Sequence, residues 1–147
     1  MTVVLVHHAD AVGPDVDPQR PLSTLGRTQA ESLAERAKAA GVVPAAIWHS
    51  GKLRARQTAE AFYRLCNPFA EFKMVRGLRP DDPPEFVRDS LSAETRDLLL
   101  VGHMPNIRLI LRMLVKDAED FPLHGLVAVE TSSGGAAWTE TWRAQPQ

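Results

Sequence analysis

Two runs, Val3-Val4-Leu5-Val6 and Leu98-Leu99-Leu100-Val101, are apolar at every position, with no alternation between wet and dry faces. A strand that is apolar on both sides is covered on both sides, which is the habit of a parallel sheet flanked by helices. The rest of the chain switches between strand-like runs and helical spacing. Ser23 or Thr24 caps a helix running to about Ala40, ended by Gly41, with Leu25, Leu33, Ala34 and Ala37 toward the sheet. Ala45 to His49 reads as a second strand. Leu53 to Cys66 reads as a helix with an apolar face of Ala55, Thr58, Ala59, Phe62 and either Leu65 or Cys66, stopped by Asn67-Pro68. Glu71 to Val75 is a weaker strand, and Arg79 to Pro84 is a loop into a helix near Pro84 to Leu91. Asp97 to Val101 is the clearest buried strand. Pro105 suits the first turn of a helix whose stripe is Ile107, Ile110, Leu111 and Leu114. Leu126 to Thr131 and Ala136 to Trp142 alternate on either side of Ser132-Ser133-Gly134-Gly135 and read as a terminal hairpin. The expected fold is α/β: a single three-layer α/β/α domain over residues 1–147, with a mostly parallel sheet and an antiparallel C-terminal edge.

Size and charge narrow what such a domain can do. At 147 residues with 44% hydrophobic content, the chain can bury a sizeable core. A formal net charge of −1 gives no general pull toward nucleic acid or an anionic membrane, so any anion binding is local. No stretch approaches the roughly 18 apolar residues of a membrane span, and Met1 to Val6 lacks the basic start and length of a signal peptide. A cytoplasmic location, with no nucleic-acid or membrane partner, is the expectation. The single cysteine, Cys66, excludes an internal disulfide and a cysteine-based zinc site. It reads as a buried helical thiol rather than a nucleophile.

Three segments place reactive or cationic side chains directly after strand-like runs: His7-His8-Ala9-Asp10, Ser50 to Ala59, and Gly102-His103-Met104-Pro105-Asn106. The carboxyl ends of parallel strands share one edge of the sheet, so these segments meet in one crevice. Two histidines and an arginine there suit phosphoryl chemistry. A neutral His8 imidazole can attack phosphorus and hold the group as N-phosphohistidine, dividing one displacement into two. Arg54, in the first turn of the second helix, can grip two phosphoryl oxygens beside a helix N-terminus. His103 can donate to a phosphoryl oxygen when protonated, and Gly102 before it permits close backbone approach. Ser50 either caps the helix or touches the phosphate. Lys52 and Arg56 read as rim charges, and Gln57 and Thr58 as packing residues. His49 faces the other way from Ser50, and His124 reaches the rim at most.

The segments Ser50-x-x-x-Arg54-x-x-Gln57-Thr58 and Gly102-His103, together with Arg20-Pro21-Leu22-Ser23-Thr24-Leu25-Gly26 and Gln29-Ala30, resemble the histidine phosphatase superfamily. Within it, the short length and Asp10-Ala11 look most like the small SixA-type phosphohistidine phosphatases. The resemblance implies a phosphoglycerate mutase-like fold. It also implies a phosphohydrolase with a covalent intermediate on His8, acting on protein phosphohistidine or, less well, small phosphate esters, without a cofactor or metal. One departure bears on activity. The family's Arg-His-Gly is His7-His8-Ala9 here, and histidine offers at most two donors where arginine is always charged and forked. His7, Arg20 and Ser50 remain the expected substrate-binding residues. A bound dianion beside His7 favours its imidazolium, so a slow enzyme working better slightly below neutral pH is expected.

The leaving-group acid has no clear owner. Larger relatives use a carboxylate after the third strand, where Asp81 and Asp82 lie here, although Asp before Pro is also an ordinary turn residue. Asp10 either orients a ring or caps a turn. Two other readings compete: a phosphate-binding pseudophosphatase, in which Arg54 and His103 hold an anion without turnover, and a metal site of His7, His8, His103 and Asp10. The latter suffers because His7 and His8 project oppositely if strand geometry continues.

Overall fold

The computed structural model describes residues 1–132 and 137–146. In chain order its elements are β1 (Thr2–His7), α1 (Thr24–Ala39), β2 (Ala46–His49), α2 (Leu53–Cys66), β3 (Glu71–Met74), α3 (Glu85–Ser92), β4 (Leu98–Gly102), α4 (Asn106–Leu114), β5 (Leu126–Glu130) and β6 (Thr139–Ala144). The strands form one sheet in the order β3-β2-β4-β1-β5-β6. The first four are mutually parallel, while β5 and β6 add antiparallel neighbours. The expected α/β architecture with an antiparallel C-terminal edge is therefore present. The expected turn of the terminal hairpin lies, apart from Ser132, outside the described residues.

Alternation along the buried strands divides the core into two layers. Val4, Val6, Ile47, Leu99 and Val101 pack with Ala30, Leu33, Ala34 and Ala37 of α1 and Ala55, Ala59 and Phe62 of α2. Val3, Leu5, Trp48, Leu98 and Leu100 face the other way, onto Val87 and Leu91 of α3 and Ile107, Ile110 and Leu111 of α4. Both faces of the central strands are thus covered, which explains runs with no polar position.

The start of α1 corrects one expectation. Leu25 is 58% exposed, and the buried stripe is Gly26, Ala30, Leu33, Ala34 and Ala37. Gly26 leads that stripe because the helix docks against the loop after β1: a Cβ at position 26 would stand 1.8 Å from the Asp10 carbonyl oxygen. Ser23 caps the helix by accepting the Gly26 amide at 3.0 Å. Smaller differences occur at α4, which begins at Asn106 after a cis Met104–Pro105 bond, and at β6, which starts at Thr139.

Candidate active site

The carboxyl ends of β1, β2 and β4 lie side by side, with His7 opposite Gly102 and His49 opposite Val101. The His8 amide donates to the Gly102 carbonyl at 3.1 Å and the His7 amide to the Gly125 carbonyl at 3.0 Å, so both backbones are held by the neighbouring strands. His7, His8, Ser50 and His103 are all buried. The His8 ring centre is 4.5 Å from that of His7 and 4.9 Å from that of His103. The structure thus brings together the two motif histidines. It also corrects the expectation that His7 and His8 project oppositely, because β1 ends at His7 and strand alternation stops there.

Hydrogen bonds settle which nitrogen of His8 is free. Its Nδ1 lies 2.7 Å from the Ala9 carbonyl oxygen, which can only accept, so Nδ1 carries the proton and Nε2 the lone pair. Burial holds this ring down to about 4, with the Arg54, His124 and Arg20 charges adding to the shift and the Ala9 carbonyl opposing it. At neutral pH His8 is uncharged, with the lone pair of Nε2 available. Thr58 steadies the same loop: its Oγ1 accepts the Ala9 amide at 3.0 Å and donates to the Arg54 carbonyl at 2.8 Å. Gln57 Oε1 accepts the Leu22 amide at 2.7 Å. These two motif residues tie α2 to the two ends of the loop between β1 and α1.

His103 makes one contact, between Nε2 and Ser50 Oγ at 2.7 Å. Ser50 Oγ also accepts the Lys52 amide at 3.2 Å, so it supports the turn into α2 while orienting the ring. The other ring nitrogen, Nδ1, is buried with no partner among the described residues, as is Arg54 Nε. Buried donors without partners cost about 1–3 kcal/mol each, and a bound oxyanion satisfies both. Burial, reinforced by His8, Arg54, His7 and Lys52, pushes His103 down to about 2. The ring is therefore uncharged at neutral pH, in place of the imidazolium expected above, and when Ser50 Oγ donates to Nε2 the N–H lies on Nδ1. Burial and Arg20 lower the Arg54 pKa as well, yet guanidinium stays charged. Arg20, in a left-handed backbone conformation, donates Nε–H to the Val12 carbonyl at 2.9 Å.

His7 also differs from expectation. Its Nδ1 accepts the His124 amide at 2.8 Å, and burial with the positive surroundings pushes it down to about 3. The ring is neutral, so Nε2 bears its proton and supplies one donor. His124 was placed only at the rim, but it is part of the site. Its ring stacks on His7 with centres 4.9 Å apart and planes within 6°, and its Nδ1 donates to the His8 carbonyl at 2.8 Å. The following Gly125 was the sign in the sequence; the left-handed backbone at His124 is seen only in the structure. Asp10 binds Ser23 Oγ through Oδ2 at 2.6 Å and approaches His124 Nε2 to 3.9 Å through Oδ1. It braces the α1 cap.

The other candidates lie outside this cluster. Asp82 Oδ2 accepts the Gly77 and Arg79 amides at 3.1 and 3.0 Å, which is turn closure. It lines, with Ser50, Arg76 and Arg79, a cavity of about 340 Å³ beside the site. Asp81 is exposed. His49 Nδ1 accepts the Gly51 amide at 3.0 Å and its ring packs on Phe72. The Cys66 thiol is buried and pushed up to about 11.

An open, mostly parallel sheet brings histidines and an arginine to one crevice, where unpartnered nitrogens beside a bare imidazole make an α/β domain with a pocket suited to an oxyanion. The family model for the histidine phosphatase superfamily (branch 1) matches residues 6–79, and the chain belongs to that family. Similar folds are found in the protein histidine phosphatase SixA solved with tungstate (24% identity, 99% of this chain and 97% of that one, TM-score 0.89). A candidate phosphohistidine phosphatase SixA from Agrobacterium tumefaciens is also similar (23%, 99% and 98%, TM-score 0.84). So is a phosphoserine phosphatase mutant from Entamoeba histolytica (13%, 97% and 95%, TM-score 0.71). No curated protein sequence matches.

Proposed function

We propose that this chain is a phosphohydrolase that works through a phosphohistidine on His8, with protein phosphohistidine as its substrate. The observation that carries the reading is the pair of buried, unpartnered donors, Arg54 Nε and His103 Nδ1, beside an imidazole whose Nε2 lone pair is left free. In the first step His8 Nε2 bonds to phosphorus as the P–N bond to the substrate imidazole breaks, and that imidazole leaves with a proton from solvent. In the second, water bonds to phosphorus, the P–Nε2 bond breaks, and inorganic phosphate departs. Arg54, His103 and the His7 Nε2–H hold the equatorial oxygens through both steps, since phosphoryl transfer asks the protein chiefly for position and charge stabilisation. Arg20 adds positive charge at the crevice.

Protein phosphohistidine suits this site because its leaving imidazole needs little acid help, and Asp82 is occupied with turn amides. The similarity to SixA structures, one holding a tungstate oxyanion, supports the same class. The pseudophosphatase reading has one observation in its favour: at position 7 a neutral, singly donating ring replaces a forked cation. Phosphate release from a phosphohistidine-bearing domain, measured at pH 6 and pH 7.5 against His8→Ala, separates the two. Release that vanishes in His8→Ala is expected. Folded protein with no release above that control overturns turnover and leaves anion binding.

A further inference from the structure

Phosphoryl transfer employs His8 and one donor of His7, but it gives His124 no chemistry of its own. His7, His8 and His124 each present a ring nitrogen, and the three atoms lie within 4.8 Å of one another. Two of these rings are oriented as ligands are. His8 donates Nδ1–H to the Ala9 carbonyl and His124 donates Nδ1–H to the His8 carbonyl, at 2.7 and 2.8 Å. A ring that gives Nδ1–H to a carbonyl keeps its lone pair on Nε2, the arrangement that outer-shell bonds impose on metal-binding histidines.

We propose that His7, His8 and His124 form a binding site for a borderline divalent transition ion, with Zn²⁺ as its type. The ion silences His8 by taking the Nε2 lone pair. Zn–N bonds of about 2.0–2.1 Å place three ligand nitrogens about 3.3–3.5 Å apart, so the rings close by at most about 1.5 Å from that upper bound. His7 joins by moving its proton from Nε2 to Nδ1, which gives up the bond from the His124 amide; no proton is gained or lost overall. The groups facing the cluster have opposite effects. Arg54, Arg20 and Arg108 oppose a cation, whereas the Asp10 carboxylate, 3.9 Å from His124 Nε2, favours one. Imidazole nitrogens suit zinc-class ions, while Mg²⁺ and Ca²⁺ demand oxygen ligands the cluster lacks. An arginine at position 7 offers no ligand, so the site depends on the residue by which this chain departs from its family pattern.

The silencing rests on the phosphatase reading; the binding does not. Titrating the full chain with Co²⁺ is expected to give a saturable visible absorption at one equivalent, displaced by Zn²⁺ and unaffected by Mg²⁺. His124→Phe, which keeps a ring to stack on His7, and His8→Ala are each expected to weaken binding at least about tenfold. Imidazole ¹⁵N spectra of the unaltered protein need no variant, and Zn²⁺ is expected to shift His7, His8 and His124. Absence of saturable binding, equal binding by both variants, or shifts confined to His49 and His103 overturns the site. Metal binding by a chain that releases no phosphate upholds the site and removes the phosphatase reading. Turnover unaffected by saturating Zn²⁺ removes the silencing.

Discussion

At position 7 a neutral imidazole stands where the family pattern carries a guanidinium, and the surroundings are built around the imidazole. The His124 amide donates to its Nδ1 and the His124 ring covers its face. One neutral donor in place of a charged fork forgoes about 1.5–3 kcal/mol, or roughly tenfold to a hundredfold in rate. His7→Arg is therefore expected to raise kcat/KM for phosphohistidine hydrolysis by about that factor, despite losing the His124 amide bond. A variant no faster than the parent between about pH 5 and 8 rejects the account. In the free protein burial holds His7 at about 3, so the sub-neutral optimum argued from sequence depends on the bound dianion to raise it. His8 and His103 were legible as candidates because each directly follows an apolar strand, and Arg54 because it lies in the first turn of the helix after β2. His124 was not, since its role depends on a left-handed residue meeting the end of β1 across the sheet.

Elements place His8 through contacts between helix ends and loops. Thr58 in the second turn of α2 accepts the Ala9 amide, and the start of α1 closes against Asp10 through Gly26. Replacing a helical glycine by alanine ordinarily favours the helix by about 1 kcal/mol. At Gly26 the added methyl would meet a backbone oxygen 1.8 Å away, and overpacking of that kind costs about 1–3 kcal/mol or more. Gly26→Ala is thus expected to lower Tm, and to reduce kcat because Asp10 and the His8 loop must shift together. An unchanged Tm and kcat would show that α1 docks differently. Helix existence and most apolar faces were legible from spacing. Leu25 was misplaced because the deciding residue, Gly26, has no side chain to register in an apolar pattern.

Buried imidazoles make the whole molecule sensitive to acid, three of them strongly shifted. His7, His8 and His103 have folded pKa values of about 3, 4 and 2, all below the ordinary 6.5. Between the folded and unfolded values the unfolded chain binds more protons, so stability is full above about pH 6.5 and declines as pH falls below it. Each ring contributes about 1 kcal/mol of loss between about pH 7 and pH 5.5. Thermal unfolding is expected to show Tm decreasing over that interval, with less decrease when inorganic phosphate occupies the site. A flat Tm down to about pH 5 would mean the rings are solvated. Charge arrangement acts at this scale too: the chain carries −1 overall, yet Arg20, Lys52 and Arg54 gather at one end of the sheet.

The amino-acid order by itself determined the α/β class, the residues of the buried strands and the three segments that carry chemistry, since periodicity and the identity of residues after a strand are local properties. Only the tertiary structure decided that the His7 and His8 rings turn to the same crevice, that His124 joins them, and that His7 and His103 are neutral donors. Those outcomes depend on which strand ends are adjacent, on backbone amides that choose a tautomer, and on burial that excludes the solvent a charged ring requires.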